Sequence, residues 1–486
     1  METTTNRRVT VVSNVNQTTR TVAILRSGKE VAQIHLIAKN KLRMKKPQRI
    51  FDASGHELTT TLDYSTIYND ALIYVSSGEA FIGVIRPDTN QHGADTNTAA
   101  EVVLLADAAF VDNDALSQLK HTATLTGVVR AVGYPDLCPG LRFPVGAAFL
   151  VRDRVYPELI GGDIGCGMTL YRLNLNANFQ VEKVANRLKS LDKEWHGDKE
   201  SFLCANGLMP SNHDVQLGTI GGGNHFAELQ VVHQVVDQSV FEQMGLKSND
   251  VVLLVHSGSR SLGKSVLDRV LSSSGDKRVK DGVCYLENSP DFNSYMESHD
   301  TACVWARCNR ELIAQRFCAM LTAQDETLVS SKWMQTIATK LIDIHHNHVE
   351  LRSERDGEKI WVHRKGAAPS DRGVVPVPGS RGAFTYLVRP RGDQYGNAFS
   401  LPHGAGRKWT RNKANATVSE KYKGSMVNVL SKTDLGSTVI CEDRNLLAEE
   451  APEAYKDIQD VVSDISNIVD VIAIMKPILT YKFRRE

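Results

Sequence analysis

The start of the chain alternates apolar and polar residues in short segments that predict β-strands. A glycine-containing segment, Asp52–Leu58, supplies a turn between them. Strands of this length with a period of two are typical of small sheets. The predicted strands are Arg8–Ser13, Thr21–Leu25, Gln33–Ile37 and Ala71–Ser76. The pattern therefore predicts a small β-rich module at residues 1–85.

A polar stretch follows this module. Arg86–Ala100 reads RPDTNQHGADTNTAA and carries almost no bulky apolar side chain, which is typical of a linker. Beyond it, strand-like and helix-like segments alternate with glycine-rich turns, and no internal repeat is visible. We therefore expect a linker at residues 86–100 and one large α/β (α+β) domain at residues 101–486.

Several segments of the large region have a recognisable periodicity. Val251–Val255 (VVLLV) is short and wholly apolar, which predicts a buried strand. Met296–Gln324 places apolar residues at helical spacing and should form a long helix. Ala454–Met475 also predicts a helix, and Leu341–Asp343 lies within a helical pattern.

Charge and cysteine content narrow the class of protein. The 486 residues contain 57 Lys and Arg against 56 Asp and Glu, a net charge of +1, so binding to a polyanion needs a local patch. The densest such patch is Lys39–Arg49 (KNKLRMKKPQR). No apolar run is long enough to span a bilayer or to act as a secretory signal, and the eight cysteines form no CxxC pair. These features predict a cytoplasmic protein with reduced thiols.

One glycine-rich segment formally matches a phosphate-binding loop. Gly258–Ser265 reads GSRSLGKS, follows the strand Val251–Val255 and precedes an apolar helical segment. In a P-loop, Lys264 would contact the phosphates and Ser265 the magnesium ion. Such NTPases also need an apolar strand that ends in a metal-binding Asp, and no convincing one follows. A P-loop NTPase remains an alternative at this stage.

Five further segments carry residue types that metal ions and phosphates prefer. They are GGDIGCGM at 161–168, GTIGGGNHFAE at 218–228, VHSGSR at 255–260, DIHHNH at 343–348 and LPHGAGRKW at 401–409. A Cys166 thiolate beside imidazoles and a carboxylate suits zinc or a neighbouring divalent ion, and a thiolate can bridge two ions. The glycines let main-chain N–H groups approach phosphates. These segments predict a two-metal site for phosphoryl chemistry on a nucleotide.

In this order, the motifs are similar to those of the RtcB RNA ligases. The shared motifs are PDLCPGLRFPVGAA, GGDIGCGM, GGGNHFAE, HSGSR, DIHHN, VHRKGA, PGSRG, HGAGR, EAPEAYKDI and LTYK. They cover the chain from about residue 101 to its end. VICEDRNLLAEEAPEAYK and PVGAAF resemble the branch found beside the release-factor-H-like protein, which is associated with RNA repair. Residues 41–81, in the run KLRMKKPQRIFDASGHEL…IYVSSGEAF, resemble a ubiquitin-like or doublecortin-like β-grasp module.

The resemblance implies a role for each motif. Asp163, Cys166 and His225 would hold one manganese ion, and Cys166, His256 and His346 a second. His403 would attack GTP and carry GMP as a phosphoramidate. Contacts to the guanine nucleotide would come from Asn224, His225, Phe226, Ala227, Glu228, His346, Asn347, Pro378, Gly379, Ser380, Arg381, Thr385, His403, Gly404, Ala405, Gly406 and Lys482.

The implied activity is a GTP- and manganese-dependent RNA ligase. It would join an RNA 3′-phosphate or 2′,3′-cyclic phosphate to a 5′-hydroxyl, and the N-terminal module would be free to bind a protein partner. The sequence departs from the common family pattern at Cys138 (often His), Arg381 (often Met) and Thr385 (often Ser), and Lys482 is followed by FRRE. None of these removes an implied metal ligand or the nucleophile. A catalytically inactive RNA-binding or scaffold relative is the other alternative.

Overall fold

The chain divides into two compact units, residues 1–96 and residues 97–486. The computed structural model describes residues 7–15, 17, 20–26, 28–60, 63–64, 67, 71–82, 100–174, 180–273, 282–353 and 357–484. The expected linker at 86–100 lies outside the described residues except for Ala100. None of the helices within these ranges is long and apolar enough to cross a membrane.

The N-terminal unit is a four-stranded sheet with one helix. The strands are β1 (Arg7–Ser13), β2 (Arg20–Leu25), β3 (Arg49–Phe51) and β4 (Ala71–Ser76), in the order β2-β1-β4-β3. β1 pairs antiparallel with β2 and parallel with β4. The helix Glu30–Asn40 turns Ile34 and Ala38 into a core with Val9, Val11 and Ile73.

One expected strand of this unit is a helix. Gln33–Ile37 was predicted as a strand, but it lies inside the helix Glu30–Asn40. Ile34 and Ala38 are four residues apart and both buried, so they share one helical face. A five-residue apolar window satisfies both periods, and only packing against the sheet decides between them. The strand predictions at Arg8–Ser13, Thr21–Leu25 and Ala71–Ser76 are confirmed.

The second unit contains two large sheets and is mixed α/β, as predicted. The eight-stranded sheet has the order β13-β9-β11-β10-β21-β18-β17, with β20 paired to β21. Its strands are β9 (Gly167–Leu173), β10 (Phe226–Val235), β11 (Val251–Ser257), β13 (Ala338–His345), β17 (Val375–Pro378), β18 (Thr385–Pro390), β20 (Thr438–Cys441) and β21 (Val469–Phe483).

The five-stranded sheet has the order β14-β15-β7-β6-β5, and two short strand pairs accompany it. Its strands are β5 (Glu101–Leu104), β6 (Val128–Cys138), β7 (Val145–Val151), β14 (Asn347–Ser353) and β15 (Lys359–Lys365). The short pairs are β8 (Arg154–Val155) with β12 (Tyr285–Leu286) and β16 (Ala367–Pro369) with β19 (Ser400–Pro402).

Helices surround both sheets. Aspartate or serine N-caps begin several of them, as at Asp112, whose side chain accepts from the Asp114 N–H. The α-helices of this unit are Asn113–Thr122, Val181–Arg187, Lys199–Cys204, Gln238–Gln243, Arg260–Ser273, Pro290–Leu321, Ser331–Ile337, Arg411–Lys421, Met426–Leu430, Arg444–Glu449 and Ile458–Asp464. Short 3₁₀ helices lie at Pro157–Leu159, Asp214–Gln216 and Pro452–Ala454.

Four neighbouring strands of the large sheet start or end at the same edge. β9 and β10 begin where β11 and β13 end, because each neighbouring pair is antiparallel. The register pairs Phe226 with His256, and Gly167 with both Ser257 and His345. Residues just before β9 and β10, and those at or just after the ends of β11 and β13, therefore meet at one edge.

The predicted long helix is confirmed, and it supports this edge. Pro290–Leu321 covers most of the expected Met296–Gln324 and buries polar as well as apolar side chains. Asn309 and Arg310 are fully buried within it. The predicted strand Val251–Val255 is likewise confirmed as the first five residues of β11.

Two other helix predictions are wrong. Ala454–Met475 contains only the short helix Ile458–Asp464, and its second half begins the strand β21. Leu341–Asp343 lies in the strand β13 rather than in a helix. β21 pairs with both β10 and β18, so ladder hydrogen bonds override a local apolar pattern that also fits a helix.

The phosphate-loop alternative does not match the structure. The helix Arg260–Ser273 begins four residues before Lys264, so most of the loop that should cradle phosphates is helical. Lys264 is 70% exposed and pairs with Asp268 on its own helix, and the Ser265 hydroxyl donates to the Leu262 carbonyl. A cradle of free main-chain N–H groups is therefore absent at Lys264 and Ser265.

Candidate functional site

A thiol and three imidazoles meet at the shared edge of the four strands. Cys166 Sγ lies 3.3 Å from both His225 Nε2 and His256 Nε2. The ligand atoms of these three residues all lie within 4.8 Å of one another. His256 Nε2 also lies 3.2 Å from His346 Nε2, and His225 Nε2 lies 3.0 Å from Asp163 Oδ2. The five residues expected to hold metal therefore form one continuous cluster.

The tautomer of His225 shows what this cluster can hold. Its Nδ1 lies 3.1 Å from the carbonyl of Ile220, which only accepts, so Nδ1 carries the proton. The other ring nitrogen, Nε2, then faces the Asp163 carboxylate and the Cys166 sulfur. Electron-pair donors at this distance require a cation between them, either a proton or a metal ion. The donor set therefore fits a divalent cation that accepts sulfur, nitrogen and oxygen ligands.

Burial shifts the pKa values of the cluster in the same sense. It lowers the pKa of His256 and of His346 well below the ordinary value, so both rings are neutral ligands. Burial, reinforced by Asp163, raises the pKa of the Cys166 thiol well above its usual range. For Asp163, burial acts in the opposite direction, but the neighbouring His225 leaves the carboxyl pKa below its usual value. Without a metal ion the cluster therefore holds a neutral thiol.

Two buried side chains of the long helix fix the loops that carry these ligands. Asn309 donates to the carbonyls of Thr219 and Gly258 and accepts from the Gly218 N–H. Arg310 donates to the carbonyls of Gly165 and Ser257 and to the Asp343 carboxylate. These bonds tie four ligand-bearing segments to a single helix. The ligands are thus preorganised rather than assembled by the metal.

His345 and His346 make different contacts, which distinguish their roles. His346 Nε2 points to His256, and its main-chain N–H donates to the Cys166 carbonyl over 2.8 Å. His345 instead places Nδ1 2.8 Å from the Gly165 carbonyl and 3.4 Å from Arg310 Nη2. His346 is therefore the member of this pair that reaches the cluster.

His403 lies next to the cluster and is held by a buried carboxylate. Its ring centroid is 4.7 Å from that of His346 and 6.4 Å from that of His256. Asp136 Oδ2 lies 2.7 Å from His403 Nδ1 and 3.1 Å from its main-chain nitrogen. Asp136 is fully buried at the end of β6. An ionised carboxylate only accepts, so Nδ1 carries a proton and the lone pair of His403 lies on Nε2.

A cavity of about 660 Å³ opens over the cluster and His403. Most of the residues expected to contact a nucleotide line it, but His225, Ala227 and Thr385 do not. Ala227 is buried in the core beside β11 and Tyr481, and Thr385 accepts a bond from Gln230. The expected residues that line the cavity are Asp163, Cys166, Asn224, Phe226, Glu228, His256, His346, Asn347, Pro378, Gly379, Ser380, Arg381, His403, Gly404, Ala405, Gly406 and Lys482.

Glu228 and Lys482 form one polar wall of this cavity. Thr480 and Gln230 both donate to the Glu228 carboxylate, and Lys482 Nζ donates to the His225 carbonyl over 3.0 Å. Burial raises the pKa of Glu228 to about 7, against these two bonds and the nearby lysine. Burial also lowers the pKa of Lys482. The wall offers one acceptor and one donor with little solvent around them.

A second polar wall contains Arg381, the residue that departs from the common pattern. Arg381 is 8% exposed and donates from Nη2 to the Leu447 carbonyl, while its buried Nη1 has no protein partner. Glu450 stands nearby and accepts from Arg407 Nη1 over 3.0 Å and from the Tyr455 hydroxyl. An N–H without a partner on a cavity wall is a position for a ligand acceptor.

Three residues that the sequence analysis did not single out hold other residues of the site in place. Asp136 lies in the quoted PDLCPG motif, yet nothing local marks it as the partner of a histidine 267 positions later. Asn309 and Arg310 lie inside a long helical pattern, where polar residues ordinarily face solvent. The signal for Asn309 was helical spacing: the residues three and four positions away, Trp305, Ala306, Leu312 and Ile313, are all apolar, which places Asn309 on the buried face.

The sequence is similar to those of several known RNA ligases. A sequence profile described as tRNA-splicing ligase RtcB matches residues 118–201 and 206–483. The chain is 39% identical to RNA-splicing ligase RtcB2 of Escherichia coli, over 79% of this chain and 96% of that protein. It is 30% identical to tRNA-splicing ligase RtcB of Archaeoglobus fulgidus, over 76% of this chain and 91% of that protein. RtcB1 of the same E. coli strain as RtcB2 is 26% identical.

Proposed function

Because the chain belongs to the RtcB family of RNA ligases, we propose that it joins RNA ends through a guanylylated His403. The observation that carries this proposal is the Asp136–His403 pair at the edge of the Cys166 cluster, inside one cavity. A histidine whose Nδ1 is held by a carboxylate has its nucleophilic nitrogen fixed in direction. The neighbouring cluster provides the ligands that phosphoryl transfer requires.

The first step of the proposed reaction uses His403 as the nucleophile. Its Nε2 forms a bond to the α-phosphorus of GTP, and the bond from that phosphorus to the pyrophosphate oxygen breaks. Asp136 keeps Nδ1 protonated and balances the positive charge that develops on the imidazole ring. Gly404 and Gly406 let the loop after His403 pack closely on its neighbours, since a Cβ at Gly404 would lie 3.0 Å from the Pro378 carbonyl and one at Gly406 would collide with the main chain of Asp136.

Five side chains would hold two manganese ions. Asp163, Cys166 and His225 would bind one ion, and Cys166, His256 and His346 the other, with the sulfur shared. When bound, the ions would withdraw negative charge from the phosphate oxygens. Arg310 and Asn309 keep the ligand loops in place, so the side chains need little rearrangement on binding.

The guanine base would be recognised by Glu228 and Lys482. A buried carboxylate accepts from the N–H groups of a guanine edge, whereas adenine presents a different order of donors and acceptors. Lys482 keeps Glu228 within reach of its ionised form near neutral pH. Thr385 supports this wall indirectly, through Gln230.

The later steps join the two RNA ends. The GMP group passes from His403 to an RNA 3′-phosphate, and the 5′-hydroxyl of the other end then displaces GMP and forms the phosphodiester. A 2′,3′-cyclic phosphate is first opened by water to the 3′-phosphate. The motifs VICEDRNLLAEEAPEAYK and PVGAAF support a role in RNA repair, in the branch found beside a release-factor-H-like protein.

The N-terminal unit and the cellular compartment complete the proposal. The strand order β2-β1-β4-β3 with one helix supports a β-grasp module at residues 1–85, joined by a linker at 86–100 to the ligase domain at 101–486. This module could bind a protein partner. All eight cysteines are free thiols, which supports a cytoplasmic protein.

Covalent labelling tests the proposal directly. The protein is incubated with manganese and GTP labelled at the α-phosphate, denatured, and assayed for attached GMP. His403→Ala should abolish the label, while Lys264→Ala should retain it because Lys264 is exposed and lies outside the cavity. Label that survives His403→Ala and disappears in Lys264→Ala would refute the proposal. Absence of label in the wild-type chain would favour the inactive scaffold relative.

A further inference from the structure

A fully exposed leucine is held rigidly on the wall of the cavity. Leu141 has a relative exposure of 108% and lines the cavity within the loop that follows β6. The side-chain amide of Gln118 both donates to and accepts from the main chain of Gly140, each bond being 3.0 Å long. On the other side, Arg142 forms an ion pair with Glu158 at 3.2 Å. The loop is therefore fixed, and Leu141 has no protein surface to cover.

An aromatic residue with two lysines lines the same cavity. Trp409 is half-buried, and its main-chain carbonyl accepts from Arg407 Nε over 3.1 Å. The ammonium groups of Lys408 and Lys413 lie 5.7 Å and 5.6 Å from the centre of the indole ring. Both lysines are exposed, and Lys408 also lines the cavity. This part of the rim combines an aromatic surface with positive charge.

We propose that Leu141 and Trp409 hold the base of the terminal nucleotide of an RNA end, with Lys408 and Lys413 contacting its phosphates. This inference rests on the proposed joining of RNA ends. An aromatic ring stacks on any nucleobase, and basic side chains beside it follow the backbone, which is how single strands are bound without reading their sequence. Leu141 adds an apolar contact to the base.

The surroundings favour a base of the RNA over the guanine of GTP as the occupant. Glu228 and Lys482 already offer buried donors and acceptors to a base, and each is at most 5% exposed. Leu141, Lys408 and Lys413 are open to solvent, where a long chain can enter. A single exposed leucine is ordinary on a protein surface. What distinguishes Leu141 is a rigid loop on the wall of the reaction cavity.

Abasic substrates test this inference. Joining is measured with RNA whose terminal nucleotide is normal or abasic, at the 3′ end in one series and at the 5′ end in another. We expect the abasic site to raise the KM of the wild-type protein on the order of tenfold for one of the two ends. Leu141→Ala and Trp409→Ala should raise the KM for normal RNA and lose the difference between normal and abasic RNA. Trp409→Phe should retain part of the difference between normal and abasic RNA.

Controls separate this contact from folding and from the first step. Leu141→Ala removes no packing, because the side chain is fully exposed. Leu328→Ala, at a site that is 79% exposed and outside the cavity wall, should behave as the wild type. GMP labelling should remain normal in Leu141→Ala. Variants that still discriminate abasic RNA, or that raise the KM for GTP in the labelling step, would overturn the inference. Loss of labelling in the wild type would instead refute the proposed function.

Discussion

Asp136 places one carboxylate oxygen 2.7 Å from His403 Nδ1 and 3.1 Å from the main-chain nitrogen of the same residue. The two bonds fix both the tautomer and the direction of the ring. The side chain of Asp136 bonds to His403 and to none of the five proposed metal ligands, so any effect on the proposed reaction would be exerted through His403. This separates orientation of the nucleophile from metal binding.

Replacing this carboxylate by an amide should disable His403 without removing it. In Asp136→Asn, the amide oxygen can still accept both bonds, but the neutral side chain no longer balances the positive charge that would develop on the imidazole ring during the proposed attack. We expect the rate of GMP labelling to fall by on the order of 100-fold or more. The measurement is single-turnover labelling with GTP and manganese.

A matched control for this substitution is Asp464→Asn. Asp464 also accepts two main-chain N–H bonds, from Ala108 and Ala109, but it does not line the cavity. Labelling in Asp464→Asn should stay at the wild-type rate. A normal rate in Asp136→Asn would show that the negative charge of Asp136 does not contribute to the first step.

Loss of the shared sulfur should remove both metal ions. Cys166 Sγ lies 3.3 Å from His225 Nε2 and from His256 Nε2, so Cys166→Ala takes one ligand from each proposed ion. His225→Ala and His256→Ala should each mainly weaken one ion. Manganese content after dialysis is measured by elemental analysis, with the buried Cys318→Ala as the control thiol. Full occupancy in Cys166→Ala would contradict the shared ligand.

Glu228 should make the stability of the metal-free protein depend on pH. Burial raises its pKa from 4.5 to about 7, so the folded state holds the proton more tightly than the unfolded chain. Its contribution to the free energy of unfolding is therefore fully present below pH 4.5 and falls as the pH rises to about 7, by about 3 kcal/mol in all.

Glu228→Gln removes this titration. The variant should show a flatter dependence of the unfolding free energy on pH across that interval, as measured by urea denaturation at a series of pH values. Glu242→Gln, at an exposed position, should keep the wild-type slope. Equal slopes in Glu228→Gln and the wild type would mean that this carboxyl ionises normally in the folded protein.

Cys138 should affect joining but not guanylylation. It lines the cavity at the end of β6, and burial raises the pKa of its thiol, so it is neutral and a poor hydrogen-bond donor. Cys138→His should keep GMP labelling and change the rate at which labelled protein is discharged by RNA. Cys284→His, also half-buried but outside the cavity wall, is the control. Loss of labelling in Cys138→His would place residue 138 in the metal or nucleotide site.

The N-terminal unit should contribute to RNA binding through its basic loop. Lys41, Lys45 and Lys46 are exposed and lie between the helix Glu30–Asn40 and β3. Replacing all three by Gln in the full chain should weaken RNA binding and lower the dependence of log Kd on log salt by about 2. GMP labelling should not change. Fluorescence anisotropy at several salt concentrations gives both quantities.

An equal loss of charge elsewhere is the control. Lys120, Lys247 and Lys332 are exposed in the ligase unit and lie outside the cavity wall. Replacing these three by Gln should have the smaller effect on the slope. If the two triple variants behave alike, the basic loop contributes no more to RNA binding than other surface lysines do. A protein partner then becomes the better hypothesis for this unit.

Local patterns predicted some elements of the fold well. Val251–Val255 could be predicted because a short run rich in valine favours a strand, and Met296–Gln324 because its helical period continues over many turns. Ala454–Met475 could not, because its second half is a strand whose partners, β10 and β18, lie far away in sequence. The same limit applies to Gln33–Ile37, whose burial depends on the sheet.

The residues of the candidate site also differ in whether a local pattern could predict them. Cys166, His225, His256, His346 and His403 stand in glycine-rich or strand-end segments that mark them individually, and the structure gathers them in one place. Asp136 and Arg310 carry no such mark. Their importance arises only from side chains brought near them by the fold, and a single sequence contains no local record of that.

β21 also determines when the ligase unit can be completed during synthesis. It lies between β10 and β18 in the large sheet, yet it comes last of the three along the chain. Until residues 469–483 emerge, β10 has an unpaired edge, and Lys482 is missing from the cavity wall. Unpaired edges attract other chains, and pairings this distant in sequence form slowly. A nascent ligase unit is therefore exposed to aggregation for most of its translation. The polar wall that contains Lys482 is complete only when the last strand inserts.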